Sequence, residues 1–307
     1  MRYATADGLP PVSKVGLGTM RFGERTFSPE LARALVRRAL ELGITHFDTA
    51  EGYGFGRSER LLGEALAAVG ADHAVVVTSK YGALLPMPSV VERHARASRD
   101  RLGIPSIPLY LLHMPSPVAP ARLTMAGFRR SQDAGVIGAP GISNHNLHQW
   151  QAAETALGHP IAANEVLLNV LHRKAVSRLV PWAASSGRLV IAASPLGQGV
   201  LAGRYGLASR PCGLAMHRRL AMRFSALPPT TANFRRLAPL MDQLGSLAAR
   251  HGVSVAAISL AWAISHEPVV VIPGASTIAQ LEANAAAADI TLAAAEIQSL
   301  HDAADAA

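Results

Sequence analysis

Four side chains within the first 113 residues could together move a proton: Asp48, Tyr53, Lys80 and His113. A free phenol has a pKa near about 10 and donates poorly at neutral pH. An ammonium close to it favours the phenolate and lowers that value. A carboxylate paired with the ammonium keeps it charged and in place. A neutral imidazole beside the phenol can hydrogen-bond a carbonyl oxygen and orient it. Such a set is a general acid aimed at a carbonyl while a hydride reaches its carbon. In reverse it is a base for alcohol oxidation. Singly, each residue has an ordinary reading: an Asp after a strand is often a helix N-cap, a Tyr in a Gly-flanked loop is often surface packing, and a lone Lys or His at a strand end is usually solvated. Lys80 stands out because only two other lysines occur, Lys14 and Lys174, the remaining basic residues being arginines.

The elements that must position these groups are short apolar strands alternating with amphipathic helical segments. The strands are expected at Lys14–Leu17, His46–Thr49, Ala74–Ser79, Pro108–His113, Val136–Ile142, Ile161–Val166, Leu189–Ala193 and Val269–Pro273. They are rich in Val, Ile and Leu, as strands buried on both faces are. Helices are expected at Pro29–Leu42, Gly56–Val69, Ser89–Leu102, Pro120–Ala134, Leu147–Ala156, Ala175–Ser186, Arg235–His251, Ser254–Ser265, Ile278–Ala287 and Leu292–Ala304. Eight strand–helix units predict an α/β chain folded as a (β/α)8 barrel, one domain over residues 1–307. A short N-terminal hairpin turning at Asp7-Gly8 precedes it. A long loop, Gly203–Ala232, follows the seventh strand and carries Pro211, Gly213, Pro228 and Pro229. Barrel enzymes work at the C-terminal ends of their strands. Asp48 lies at the end of the second strand with Tyr53 just beyond it, Lys80 at the end of the third and His113 at the end of the fourth.

Composition narrows the class. The chain is 50% hydrophobic and 16% charged, which fits one large buried core. No apolar run approaches the roughly 18 residues of a membrane span, and the first residues lack an apolar signal core. The single cysteine, Cys212, leaves no internal disulfide. The expectation is a cytoplasmic protein, a monomer or weak homo-oligomer, with no membrane partner. The formal charge is +8, but the arginines are scattered without interleaved aromatics, so nucleic acid is not the expected partner.

The residues resemble a known family. Phe47-Asp48-Thr49-Ala50 with Tyr53, the strand end at Lys80 and Leu112-His113 look like the Asp-Tyr-Lys-His tetrad of the aldo-keto reductases. The likeness continues through Gly16-Leu17-Gly18-Thr19-Met20, Gly141-Ile142-Ser143-Asn144, Ser194-Pro195-Leu196-Gly197-Gln198-Gly199 and Ile272-Pro273-Gly274-Ala275-Ser276, with Gln280 and Asn284. It implies NAD(P)H-dependent reduction of an aldehyde or ketone, or the reverse. Tyr53 would be the proton donor, Lys80 its partner, Asp48 the anchor and His113 the carbonyl orienter. Gly18, Thr19, Met20 and Asp48 would border the cofactor. Ser143, Asn144 and Glu165 would hold the carboxamide. Ser194, Pro195, Leu196 and Gly197 would line the pyrophosphate, and Gly274, Ala275, Ser276, Gln280 and Asn284 the adenosine end. Physics agrees on the phosphates, since these barrels bind them after the last two strands. No GxGxxG fingerprint follows a strand, so a Rossmann domain is not the cofactor site.

Three departures stand against the resemblance. The family's Gln at the sixth strand end is Glu165, which donates a hydrogen bond only when protonated. The aromatic residue that relatives stack on the nicotinamide is Ala193. Gly274–Asn284 contains no basic residue to meet a 2′-phosphate. NADP(H) is still expected over NAD(H), with Arg204 from the long loop assisting. The chain stops soon after the last helical segment, which predicts an open pocket for small or medium aldehydes and ketones. Three further classes compete. A non-catalytic nucleotide-binding redox sensor or partner subunit would bind the dinucleotide without turnover. A metal-dependent barrel hydrolase needs grouped ligands, and no His-x-His pair lies at a strand end; no metal is expected. A two-carboxylate glycosidase using Asp48 and Glu51 fails on spacing within one loop.

Overall fold

A computed structural model describes residues 1–71, 75–82, 87–116, 120–205 and 230–306. A hairpin comes first, β1 (Tyr3–Ala4) antiparallel to β2 (Val12–Ser13). Eight parallel strands follow: β3 (Leu17–Gly18), β4 (His46–Asp48), β5 (Val76–Tyr81), β6 (Ile107–Leu112), β7 (Ile137–Ser143), β8 (Ala163–Leu167), β9 (Leu189–Ala193) and β10 (Val269–Val271). Each pairs with the next in chain order. The ends of the sheet meet through parallel bridges, Val15 to Val271 and Gly18 to Gly274. Gly16 N donates to Val271 O at 2.8 Å and Gly18 N to Pro273 O at 3.0 Å across this seam. The sheet therefore curls into the (β/α)8 barrel that the strand–helix alternation predicts. Gly18 is needed at the seam, because a Cβ there would stand 2.6 Å from Ile272 O.

The core has two layers. Inside the barrel, Val76, Leu109, Leu111, Ile191 and Val270 form one cluster with Ala4 and Val12. The expected hairpin thus plugs the floor of the barrel with its own apolar residues. Outside, helices lay apolar faces on the strands: Pro29–Glu41 buries Ala32, Leu35, Val36 and Ala39 at helical spacing. Its start is set by Ser28, whose side chain accepts from Leu31 N, and by Pro29 in the first turn.

Helix Arg57–Val69 does more than cover the sheet. Its buried Ser58 donates to Thr19 O at 2.8 Å and accepts from Thr49 Oγ1 at 2.8 Å. Its buried Glu59 accepts from Ser79 Oγ at 2.6 Å and pairs with Arg101 at 2.5 Å. Two adjacent helical residues thereby fix the strand ends that carry Asp48 and Lys80.

Some elements differ from expectation. The first strand is reduced to Leu17–Gly18, since upstream of it only alternate residues bond across the seam. The helix expected at Ala175–Ser186 splits into a 3-10 turn, Lys174–Ser177, and a helix, Leu179–Ser185. Pro181 explains the break: it lacks an N–H and its ring would meet the carbonyl of Ser177 in a continuous helix. The helix expected from Arg235 begins at Thr231, where Thr230 caps Asn233 N. Of the long loop Gly203–Ala232, residues 206–229 lie outside the described residues. No single described helix is long and apolar enough to cross a membrane.

Candidate functional site

The register of the sheet brings the predicted groups to one end of the barrel. Asp48 pairs with Thr78, Lys80 with Leu111 and Ser143 with Glu165. Lys80 is fully buried, and its Nζ stands 2.6 Å from both oxygens of Asp48 and 3.0 Å from Thr49 O. Nζ also lies 5.3 Å from the centre of the Tyr53 ring. The Tyr53 and His113 rings meet edge-on, with centres 6.1 Å apart. The sequence tetrad is therefore assembled in space.

The loop that presents Tyr53 is pinned on both sides. Tyr53 N donates to Ala50 O at 3.0 Å, and Ser58 N donates to Tyr53 O at 3.2 Å. Gly54 adopts a positive φ of 62°, and a Cβ there would come within 2.2 Å of Gly23 O. Only glycine allows the two loops to lie this close. His113 is held from its backbone: Asn144 Nδ2 donates to His113 O at 3.1 Å. Asn144 itself sits in the left-handed region, at φ 60°, which Asn tolerates better than most residues.

The electrostatics correct one expectation. The Tyr53 hydroxyl does not end below its ordinary value: burial raises its pKa, and Lys80 pulls down against that without overcoming it. Desolvation is the largest effect because a buried phenolate loses its hydration, and the neighbouring carboxyl groups add repulsion to it. Burial works against the Lys80 charge, but Asp48 and Glu165 more than compensate, so the ammonium is held firmly. Burial and Lys80 lower His113 to about 4, which leaves the imidazole neutral at physiological pH. His46 lies fully buried in the wall behind, bonded to Thr78 at 2.9 Å, with burial lowering its pKa to about 3.

A cavity of about 650 Å³ opens beside Tyr53 and runs along the ends of the last strands. Its inner end is lined by Gly18, Met20, Asp48, Tyr53, Glu165 and Ala193. Its middle follows Ser194, Pro195, Leu196, Gln198 and Gly199. This turn is tight: Ser194 and Gln198 have φ of 48° and 58°, and Gly197 N donates to Ser194 O at 3.0 Å. The outer end is formed by Gly274, Ser276, Gln280 and Asn284 at the start of helix Ile278–Ala285. Gln280 Oε1 accepts from Ser276 N at 2.8 Å, which ties the helix start to the strand end.

Not every expected cofactor residue lies in this lining. Thr19, Gly197 and Ala275 are buried behind it. The Thr19 hydroxyl donates to Asp48 O at 2.8 Å, so it supports the tetrad from below. Ser143 is buried and Asn144 exposed on the His113 side of the barrel mouth. Ala193 brings no ring to the cavity, and Tyr53 is the only aromatic among the described lining residues.

Two basic residues line the cavity that the Gly274–Asn284 segment lacks. Arg204 is the one expected from the long loop. Arg21 was missed. Its Nη1 donates to Ser276 Oγ, and its Nη2 pairs with Glu24 at 3.1 Å. The signal for it was topological: in a closed barrel the loop after the first strand lies beside the loop after the last. Glu51, weighed from the sequence only as a glycosidase carboxylate, accepts from Gly82 N at 2.7 Å and pairs with His94 at 2.7 Å, tying the loop after β4 to the end of β5.

The chain is similar to known proteins over nearly its whole length. The model of the Aldo/keto reductase family matches residues 14–305. An uncharacterised oxidoreductase of Mycobacterium tuberculosis is 46% identical, covering 99% of this chain and 93% of the relative. A methylglyoxal reductase of Escherichia coli is 31% identical, covering 93% of this chain and 89% of the relative. A solved aldo/keto reductase from Klebsiella pneumoniae, in complex with NADP and acetate, is 28% identical with a TM-score of 0.77, covering 98% of this chain and 95% of that one. A glycerol dehydrogenase from Gluconobacter oxydans is 25% identical with a TM-score of 0.86, covering 98% and 94%.

Proposed function

This chain belongs to the aldo/keto reductase family, and from that membership we propose that it reduces small or medium aldehydes and ketones with NADPH, Tyr53 acting as the general acid. The observation that carries the reading is the fully buried Lys80, gripped by both oxygens of Asp48 and facing the Tyr53 ring at the inner end of the cavity. A buried ammonium with this pairing is costly to build without a use.

The cavity fits a nicotinamide dinucleotide. Its volume lies within the range of ligand sites. It also holds an unpartnered buried oxygen, Glu165 Oε2, at one end and two guanidinium groups along its length. When bound, the dinucleotide would supply the hydride. Ser194 and Leu196 would hold the phosphates, and Gln280 and Asn284 the adenosine. Ser143 and Asn144 lie on the His113 side, where the carboxamide end would reach them.

The protein's own residues do the rest. His113, being neutral, orients the carbonyl oxygen by hydrogen bond. Tyr53 gives its proton to that oxygen as negative charge develops there. Lys80 stabilises the phenolate left behind, and Asp48 keeps Lys80 in place. The high proton affinity of the Tyr53 hydroxyl keeps it protonated and ready before the carbonyl arrives. Exposed Phe55, Met87 and Met114 follow β4, β5 and β6 on one rim and suit a substrate with an apolar substituent.

Arg21 supports NADPH over NADH. A 2′-phosphate is a dianion that calls for a charged donor, and Arg21 brings its guanidinium to Ser276. The competing reading, a dinucleotide-binding sensor, draws on Ala193, where no ring faces the cavity. NADPH consumption with a panel of aldehydes separates the two. The proposal expects turnover that falls about 10²–10⁴-fold in Tyr53→Phe. Equal rates for wild type and variant support the sensor.

A further inference from the structure

One carboxyl at the inner end has no place in the four-residue mechanism. Glu165 is buried at the end of β8, lines the cavity, and stands 3.2 Å from Lys80 Nζ. No hydrogen reaches its Oε2. The reason is arithmetic: an ammonium has three N–H groups, and those of Lys80 are directed to the two Asp48 oxygens and Thr49 O. Glu165 and Asp48 thus share one ammonium, at 3.2 and 2.6 Å from Nζ. Two buried carboxylates beside one ammonium leave a charge uncompensated unless one of them carries a proton. Lys80 grips both oxygens of Asp48, which leaves that proton on Glu165.

We infer that Glu165 is the internal proton store of this site, a carboxylic acid that recharges Tyr53 through Lys80 and then stays behind as an anion facing the cavity. The inference rests on the carbonyl-reductase reading above. The proton balance is closed. Tyr53 loses its O–H to the product hydroxyl. The ammonium turns about its Cε–Nζ bond to pass a proton to the phenolate, and Glu165, 3.2 Å away, passes its own to the amine left behind. The net change is one O–H broken on Glu165 and one remade on Tyr53. The hydride for the carbonyl carbon comes from NADPH.

Charge is what makes the arrangement useful. A bound dinucleotide would bring its hydride-donating ring towards Tyr53, because hydride and proton go to the two atoms of one carbonyl, and Glu165 lines the cavity together with Tyr53. The oxidised ring carries a positive charge and the reduced ring none. With Glu165 protonated, Asp48 and Lys80 cancel and the site is neutral. With Glu165 ionised opposite a cationic ring, it is neutral again. In a site of low dielectric, the neutral pairing is strongly preferred at each stage.

The groups facing Glu165 are Asp48 from β4, Tyr53 from the loop after it and Lys80 from β5; its neighbours in register, Ser143 on β7 and Ile191 on β9, carry no charge. Burial pushes the Glu165 carboxyl up to about 8, Asp48 adds to that, and Lys80 opposes it. The acid therefore holds its proton at pH 7 and can lose it when a cation arrives.

Proton counting tests this. Wild type and Glu165→Gln are titrated at pH 7 in weak buffer with a pH indicator, once with NADP+ and once with NADPH. Wild type should release close to one proton per site with NADP+ and much less with NADPH, by linkage to the ring charge. Glu165→Gln should release little with either. Equal release for the two dinucleotides in wild type would overturn the inference, even if the variant failed to fold. So would unchanged release in a folded Glu165→Gln. Failure of both dinucleotides to bind would overturn the carbonyl-reductase reading along with it. Binding with Tyr53-dependent turnover but no difference in release would remove the proton store alone.

Discussion

At the Tyr53 end of the cavity the atoms proposed to do the chemistry are side chains held by other buried side chains, whereas at the Ser276 end the proposed grip consists of backbone turns, neutral polar groups and arginines reaching in from other loops. The first region packs Asp48, Lys80, Tyr53 and Glu165 into one charge network fixed by Ser58 and Glu59 of a single helix. The second depends on the strained turn at Ser194, the start of helix Ile278–Ala285 and Arg21. The contrast separates what a proton-transfer site needs from what a dinucleotide grip needs. Proton transfer needs atoms fixed to fractions of an ångström in low dielectric. Phosphates and adenosine can be held by any donors of the right charge, so identities there are free to drift.

The comparison predicts where damage is severe. Lys80→Met should reduce turnover by about 10²–10⁴-fold. It should also destabilise the fold by about 3–5 kcal/mol, because Asp48 is left buried and unpaired. Thermal unfolding beside steady-state rates checks both; a variant as stable and active as wild type would dissolve the distinction between the two ends.

Next is pH. His46 has its pKa lowered by burial from 6.5 to about 3. The unfolded chain then binds a proton that the folded one refuses between those values, so stability rises with pH across that window and falls on acidification. The effect is on the order of a few kcal/mol. His46→Gln should give a shallower loss of stability between pH 6.5 and 4 in denaturant titrations.

At the outer end the effects should be smaller and confined to binding. Arg21→Ala removes a charged donor worth about 1.5–3 kcal/mol. NADPH should bind roughly 10–100-fold more weakly, while NADH binding and the rate of the bound complex change little. A uniform loss for both dinucleotides would make Arg21 structural. Smallest is Ala193→Tyr, which offers a ring face worth about 0.5–1.5 kcal/mol. Tighter binding of both dinucleotides by about 2–10-fold in a fluorescence titration would show that the missing ring weakens the grip.

The same contrast explains what the sequence discloses. The barrel and the tetrad are legible because both are local: buried strands read as Val, Ile and Leu runs, and each catalytic candidate sits at the end of one. Glu165 is legible as a departure, but its protonation is not, since that depends on Asp48 and Lys80 arriving from two other strands. Arg21 is hidden for a related reason. It is one arginine among many until the barrel closes and sets it against Ser276. The Tyr53 pKa ran opposite to expectation because pairing with Lys80 can be read from spacing, whereas depth of burial cannot.

The central claim is that Tyr53 gives the proton while NADPH gives the hydride. The most direct test is a single turnover of an aldehyde with NADPH deuterated on the transferred position, using wild type and Tyr53→Phe whose dinucleotide affinities are measured on the same preparations. The account predicts deuterium on the carbinol carbon of the product, unchanged NADPH affinity in the variant, and a rate lower by about 10²–10⁴-fold. An unlabelled alcohol, or equal rates in the two proteins, would contradict it.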